Sequence, residues 1–371
     1  MSNAFFRQKN SGKKGFISPY VSNKLKSLSF VLIFFVLFIH SGFHGVEIGA
    51  MPLNIFIQGI ISDKIGRIAV PLFFTISGYL FYFNVDTHDV KVLPVLIKKI
   101  SSRIKTLLIP YLFGCLFFLL FVLIFEYTPF LKKYVNGSIK PVMSGAFLNV
   151  IKNIFWSSNI GRSPLAFHLW FLRDLIILSC FSPLFFYGIK YLRWGLLITV
   201  LIICSFFPYN PQGFLISVFW FLLGATVALE NVNIDFKIPR WGGFSLSILF
   251  LVICFVEQYY KLSFYSFGKI LIMLIGISGT WFLFDSFKKD FSAEGNAPFY
   301  TSYTFFIYIY HEPAINVVRK AIIMAMGAGS FQYLISYLLS PLVFVVLAVF
   351  IGYITKRLFP GFFSMITGGR G

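Results

Sequence analysis

Charge is what this chain has least of. Only 12% of its 371 residues are Asp, Glu, Lys or Arg, and 13 of those are acidic, where a soluble domain carries roughly a quarter. That shortage excludes a soluble enzyme, and 58% hydrophobic residues exclude a disordered chain. Cysteine is scarce too. Cys115, Cys180, Cys204 and Cys254 all fall inside apolar runs without C-x-x-C spacing, so they read as small core residues, with no disulfide framework and no metal site expected. The sequence shows no G-x-G-x-x-G or Walker pattern. It has no internal repeat of the kind many transporters carry. No small-residue cleavage site follows the first apolar run, so that run is expected to be a retained span. An integral membrane protein remains.

The chain is rich in apolar runs and in aromatics, which make up 20% of it. A helix needs about 20 mostly apolar residues to cross the hydrocarbon core. The runs are 28–43, 65–83, 106–125, 167–187, 194–207, 213–229, 242–259, 267–284, 303–318 and 333–354. They predict an all-α polytopic transmembrane bundle of about ten spans, with aromatics at the run ends as interfacial belts. The 32 Lys and Arg give a net charge of +19. In a soluble protein such an excess would point to nucleic acid; here the charges lie between apolar runs and set topology, so no nucleic-acid partner is expected. Most of them fall in segments that a cytoplasmic N-terminus would leave inside, which predicts both termini in the cytoplasm. The expected organisation is a basic arm over 1–27, one membrane domain over 28–355 and a cytoplasmic tail over 356–371.

Ionisable groups inside such runs are informative, because each costs a few kcal/mol unless it meets a partner or water. His40 sits near the outer end of the first span; it reads as a general base or as a histidine bonded to a neighbouring helix. His44, four residues on, shares its face, but no third ligand accompanies the pair. His168 opens the fourth span as an interfacial anchor or a site residue. His311 lies about mid-depth in the ninth, beside Glu312 and with Pro313 loosening the helix, which favours a site wall. Arg67, before Pro71, Ser77 and Gly78, reads as a snorkelling cation or as a planar fork holding a carbonyl or an anion. Pro71 is expected to leave backbone groups seeking partners, and Ser77 and Gly78 to allow a close helix approach. Arg173 and Asp174 point about 100° apart on a helix, so each is expected to meet another helix. Lys91–Lys105 has apolar spacing of an amphipathic helix on the cytoplasmic face. Its Lys98, Lys99, Arg103 and Lys105 read as topology anchors or as a seat for the phosphates of a cofactor such as coenzyme A.

Taken in order, these stretches resemble the acyltransferase-3 family of multi-span membrane enzymes that O-acylate bacterial surface glycans. The likeness is carried by Phe35-Val36-Leu37-Phe38-Ile39-His40-Ser41, by Arg67 through Pro71-Leu72-Phe73-Phe74 to Ser77-Gly78-Tyr79, by His168-Leu169-Trp170-Phe171-Leu172, and by Ser302-Tyr303 through Tyr308-Ile309-Tyr310-His311. Arg103-Ile104-Lys105 before Ile109-Pro110-Tyr111 fits as well, as does Phe221-Leu222-Leu223-Gly224. The resemblance implies transfer of an acyl group, acetyl from acetyl-CoA in the usual case, to a carbohydrate hydroxyl, with His40 as base and Arg67 holding the donor or the transition state. Many members carry an arginine eleven residues before the histidine; here that position is Ser29. The candidates are therefore His40 and Arg67 for catalysis; Ser77, His168, Trp170, Arg173, His311 and Glu312 for substrate; and Lys99, Arg103 and Lys105 for acyl-CoA, without a metal.

The expected partners are the lipid bilayer of the bacterial cytoplasmic membrane, acyl-CoA and a glycan or lipid-linked sugar. The competing class is a transporter or flippase for such a sugar without acyl chemistry. A proton-coupled carrier would place acids near the midplane, whereas Glu126, Glu257 and Asp285 fall at run ends.

Overall fold

The structure, a computed structural model, describes residues 17–43, 52–89, 91–134, 143, 145–156, 163–287, 297–327 and 329–370. His44 and most of the basic N-terminal arm, with Arg7, Lys9, Lys13 and Lys14, lie outside the described residues. Those described are helical, with no strand among them. In chain order the helices are α1 (Pro19–His40), α2 (Pro52–Gln58), α3 (Ala69–Tyr82), α4 (Val92–Tyr127), α5 (Phe147–Phe155), α6 (Trp170–Cys180), α7 (Ser182–Leu192) and α8 (Trp194–Ser205). They continue with α9 (Phe214–Leu229), α10 (Arg240–Tyr259), α11 (Ser266–Phe287), α12 (Thr304–Tyr310), α13 (Ala314–Met326), α14 (Ser330–Leu358) and α15 (Pro360–Ile366).

Among the described residues six helices are long and apolar enough to cross a membrane, and a seventh if the broken pair at Phe181 counts as one span. Each predicted run is helical, but several are not simple spans. α8 and α9 have 12 and 16 residues, short of the ~20 a straight crossing needs. The ninth run is two helices, parted at His311, Glu312 and Pro313. The stretch 91–105 is not a separate surface helix: α4 runs unbroken for 36 residues, with Pro110 inside it. Pro71 falls in the first turn of α3, where a missing N–H is tolerated. Just upstream a π-helix over Gly59–Ile65 and a 3-10 turn over Gly66–Ile68 carry the irregular backbone. Cys115, Cys204 and Cys254 are buried as expected, while Cys180 is exposed.

The chain packs as two compact units, drawn from segments 1–32, 67–102 and 177–301, and from 33–66, 103–176 and 302–371. In the first unit α3 crosses α9 at two facing glycines. A Cβ on Gly78 would collide with the Phe221 carbonyl oxygen, and one on Gly224 with that of Thr75. The approach is close enough for Thr75 Oγ1, which donates to Pro71 O, to reach Trp220 O at 3.2 Å as well. Small residues thus let two apolar helices meet backbone to backbone. The same unit buries two ion pairs: Lys24 lies 2.8 Å from both oxygens of Asp285, with the Tyr20 hydroxyl donating to the same carboxylate, and Lys269 pairs with Glu257.

In the second unit α13 packs along α14, and α12 and α15 against α14. The end of α1 is held by several hydrogen bonds. Ser62, in the π-helix, donates to Phe38 O at 2.7 Å, so the Tyr337 hydroxyl 2.7 Å away is the donor to Ser62. Gln58 closes a two-bond ring with the Phe43 backbone, at 3.0 and 2.9 Å. Ordered π-turns recur at functional sites, and this one fastens the last turn of α1, which ends at His40.

Candidate active site

The site of the second unit starts from Pro313. Without an N–H it cannot bond the Ile309 carbonyl, so the helix ends there and carbonyls of its last turn are released. His168 Nε2, 3.0 Å from Ile309 O, fills that vacancy, and His311 Nδ1 lies 2.7 Å from Tyr308 O. The Tyr308 hydroxyl returns a bond to His168 O at 2.8 Å. The three-residue break therefore carries His311 and Glu312, both almost wholly buried, and fastens them to the 3-10 turn Phe167–Leu169 ahead of α6.

His40, the last residue of α1, meets this break. Its Nδ1 lies 3.2 Å from Glu312 Oε1, its ring centroid is 4.8 Å from that of His311, and the His311 ring is in turn 4.8 Å from His168. The other carboxylate oxygen, Glu312 Oε2, accepts from Asn316 Nδ2 at 2.7 Å. The His40 side chain is 19% exposed, and the Glu312 carboxylate beside it is buried. Arg319 secures the same corner: Nη1 donates to Ser41 O at 3.2 Å and to Gly42 O, and the guanidinium lies 4.4 Å over the Phe43 ring.

Asn316 and Arg319 were not foreseen in the sequence. Their spacing was the available signal: Glu312, Asn316 and Arg319 stand four and three residues apart, the spacing that brings side chains together along a helix.

The arrangement can serve as a base-and-orienter pair. A carboxylate on Nδ1 holds one tautomer and leaves Nε2 as the lone pair that takes a proton. Over residues 25–357 the chain matches the family model Acyl_transf_3, described as an acyltransferase domain.

The chain belongs to the acyltransferase-3 family. It is a multi-pass membrane acyltransferase. No curated protein and no solved structure matches it.

Four of the candidate residues, His40, His168, His311 and Glu312, come together at this break. Trp170, first residue of α6, is buried in the same unit. Arg173 meets another helix as expected, its Nη1 donating to Trp156 O just past α5 at 3.0 Å, but its Nε and Nη2 also donate to the adjacent Asp174 at 3.1 and 3.0 Å. The 100° offset fixes only the Cβ directions, and a guanidinium on a long stem folds round the helix to a buried carboxylate that needs a partner. Arg67 and Ser77 belong to the other unit, in the 3-10 turn and half-buried in α3. There Tyr209, between α8 and α9, has its hydroxyl pushed up to about 12 by burial, against the opposing pull of the Arg67 cation. Lys99, also of the first unit, donates its ammonium to Phe81 O and Phe83 O at 2.7 and 2.8 Å, closing the end of α3. Lys105 is exposed, and Arg103 is half-buried on α4. Arg103 has a neighbour from the tail: Arg370 donates to Thr106 O at 3.2 Å and lies 4.4 Å over Phe305. Burial, then Arg103, pull the Arg370 guanidinium down to about 10.

Proposed function

We propose that this acyltransferase moves an acyl group, acetyl foremost, from acyl-CoA to a hydroxyl of a cell-surface or exported glycan in the bacterial cytoplasmic membrane. The observation that carries the reading is His40 Nδ1 set 3.2 Å from a buried Glu312 in a chain of this family. His40 Nε2 removes the proton of the acceptor hydroxyl as its oxygen attacks the thioester carbonyl. The C–S bond then breaks, the thiolate leaves, and the proton on His40 passes to it. Glu312 keeps the imidazole in the competent tautomer and steadies the imidazolium while it exists. Arg67 is proposed, on the family pattern alone, as the cation that steadies the acyl donor.

Arg103 and Arg370 support the donor assignment, since two neighbouring guanidinium groups suit the phosphates of coenzyme A. A carrier would need ionisable groups free to load and release protons. Asp285 and Glu257 are instead tied into buried ion pairs, which favours the acyl-transfer reading over a proton-coupled transporter.

The experiment is mass spectrometry of surface glycans from cells with and without the protein. A mass difference of one acyl group per modified sugar is expected. Identical spectra under expression would refute the proposal.

A further inference from the structure

The imidazoles beside His40 have tautomers that the backbone dictates. A carbonyl oxygen only accepts, so the nitrogen facing it must carry the hydrogen. His311 is therefore protonated on Nδ1, facing Tyr308 O, and His168 on Nε2, facing Ile309 O. Each neutral ring then has one bare nitrogen, His311 Nε2 and His168 Nδ1. Both atoms are buried and have no hydrogen-bond partner among the described residues. The residues themselves are 0% and 3% exposed. Two lone pairs left unmatched in a site lined by fixed carbonyls call for a hydrogen-bond donor beyond the described residues.

We propose that His311 Nε2 and His168 Nδ1 form the acceptor subsite, taking hydrogen bonds from hydroxyl groups of the incoming carbohydrate while His40 deprotonates the hydroxyl to be acylated. This rests on the acyl-transfer reading and names what that site recognises. An anion is disfavoured, because it would bring lone pairs to lone pairs. A sugar brings several O–H donors and an apolar C–H face. The corner supplies aromatic surface for that face: Phe167 is 40% exposed, its ring 5.5 Å from that of His40 and 6.2 Å from that of Phe118. The amide N–H groups of the acyl donor's arm are the other candidate donors, and the test separates them from the sugar.

Two measurements decide it. Nitrogen NMR of the full chain, labelled at histidine and assigned by single substitutions, should show His311 protonated on Nδ1 only and His168 on Nε2 only near neutral pH. The opposite tautomer, or double protonation, at either ring overturns the proposal without reference to activity. The second uses membranes that retain the cell's own glycan, supplied with radiolabelled acetyl-CoA. His311→Met and His168→Leu should each lower label transfer about tenfold at saturating donor, as the loss of a buried hydrogen bond implies, with the KM for acetyl-CoA unchanged. His311→Gln and His168→Asn put a carbonyl oxygen near the lost lone pair and should recover part of the rate. A raised donor KM would assign the pair to the donor's amides, and unchanged transfer would reduce it to packing; either result overturns the proposal. No label transfer by the unsubstituted protein would instead refute the acyl-transfer reading itself, while the spectra still judge the tautomers.

Discussion

Replacing Arg319 tests how the corner around His40 is held. The side chain is 5% exposed, so water does not take the place of the guanidinium when it is removed. Arg319→Leu leaves Ser41 O and Gly42 O without their donor, at about 1–3 kcal/mol each for buried groups. It also removes the contact over Phe43, worth about 1 kcal/mol. A destabilisation of about 4 kcal/mol follows, read as a lower thermal midpoint of the detergent-solubilised protein. Because those carbonyls follow directly on His40, transfer should also fall more than tenfold at temperatures where the variant is still folded, with the donor KM retained. Arg319→Lys keeps a cation that can reach one carbonyl, and should recover part of both losses. Unchanged midpoint and turnover in Arg319→Leu would refute the argument that this residue positions His40.

Two more predictions concern the first unit. Gly78→Ala and Gly224→Ala each force α3 and α9 apart and should destabilise by about 1–3 kcal/mol; midpoints equal to the parent's would mean that the crossing is looser than described. Lys24→Met strands the buried Asp285 and should lower stability by about 3–5 kcal/mol. Adding Asp285→Leu should restore most of it, and a double variant no better than the single would contradict the pairing.

Most of the fold was legible because lipid imposes a simple rule: long apolar runs become helices, and all ten runs do. What the pattern could not show is where a helix breaks without losing apolarity. The ninth run reads as one span although Pro313 divides it, and 91–105 reads as a separate amphipathic helix although nothing ends it before α4 continues. Histidine and glutamate stood out in the candidate site because ionisable groups are rare in such runs. Arg319 did not, since on a short helix with Lys320 beside it the residue looks like surface charge, and its value lies in carbonyls 278 positions away in the chain. Lys24 and Asp285, separated by 261 positions, were likewise invisible as a pair. The Arg173–Asp174 contact was misread because helical geometry places Cβ atoms and leaves the reach of a long side chain open.

The imidazole of His40, oriented by Glu312, is proposed as the base of the acyl transfer. Label transfer from acetyl-CoA to membrane-held glycan, compared between the parent, His40→Ala and Glu312→Gln at equal amounts of folded protein, tests it most directly. Loss of about a hundredfold or more is expected for His40→Ala, the scale of a removed general base, with a smaller loss for Glu312→Gln, which keeps a hydrogen-bond acceptor beside Nδ1. Full transfer by His40→Ala would remove His40 from that role.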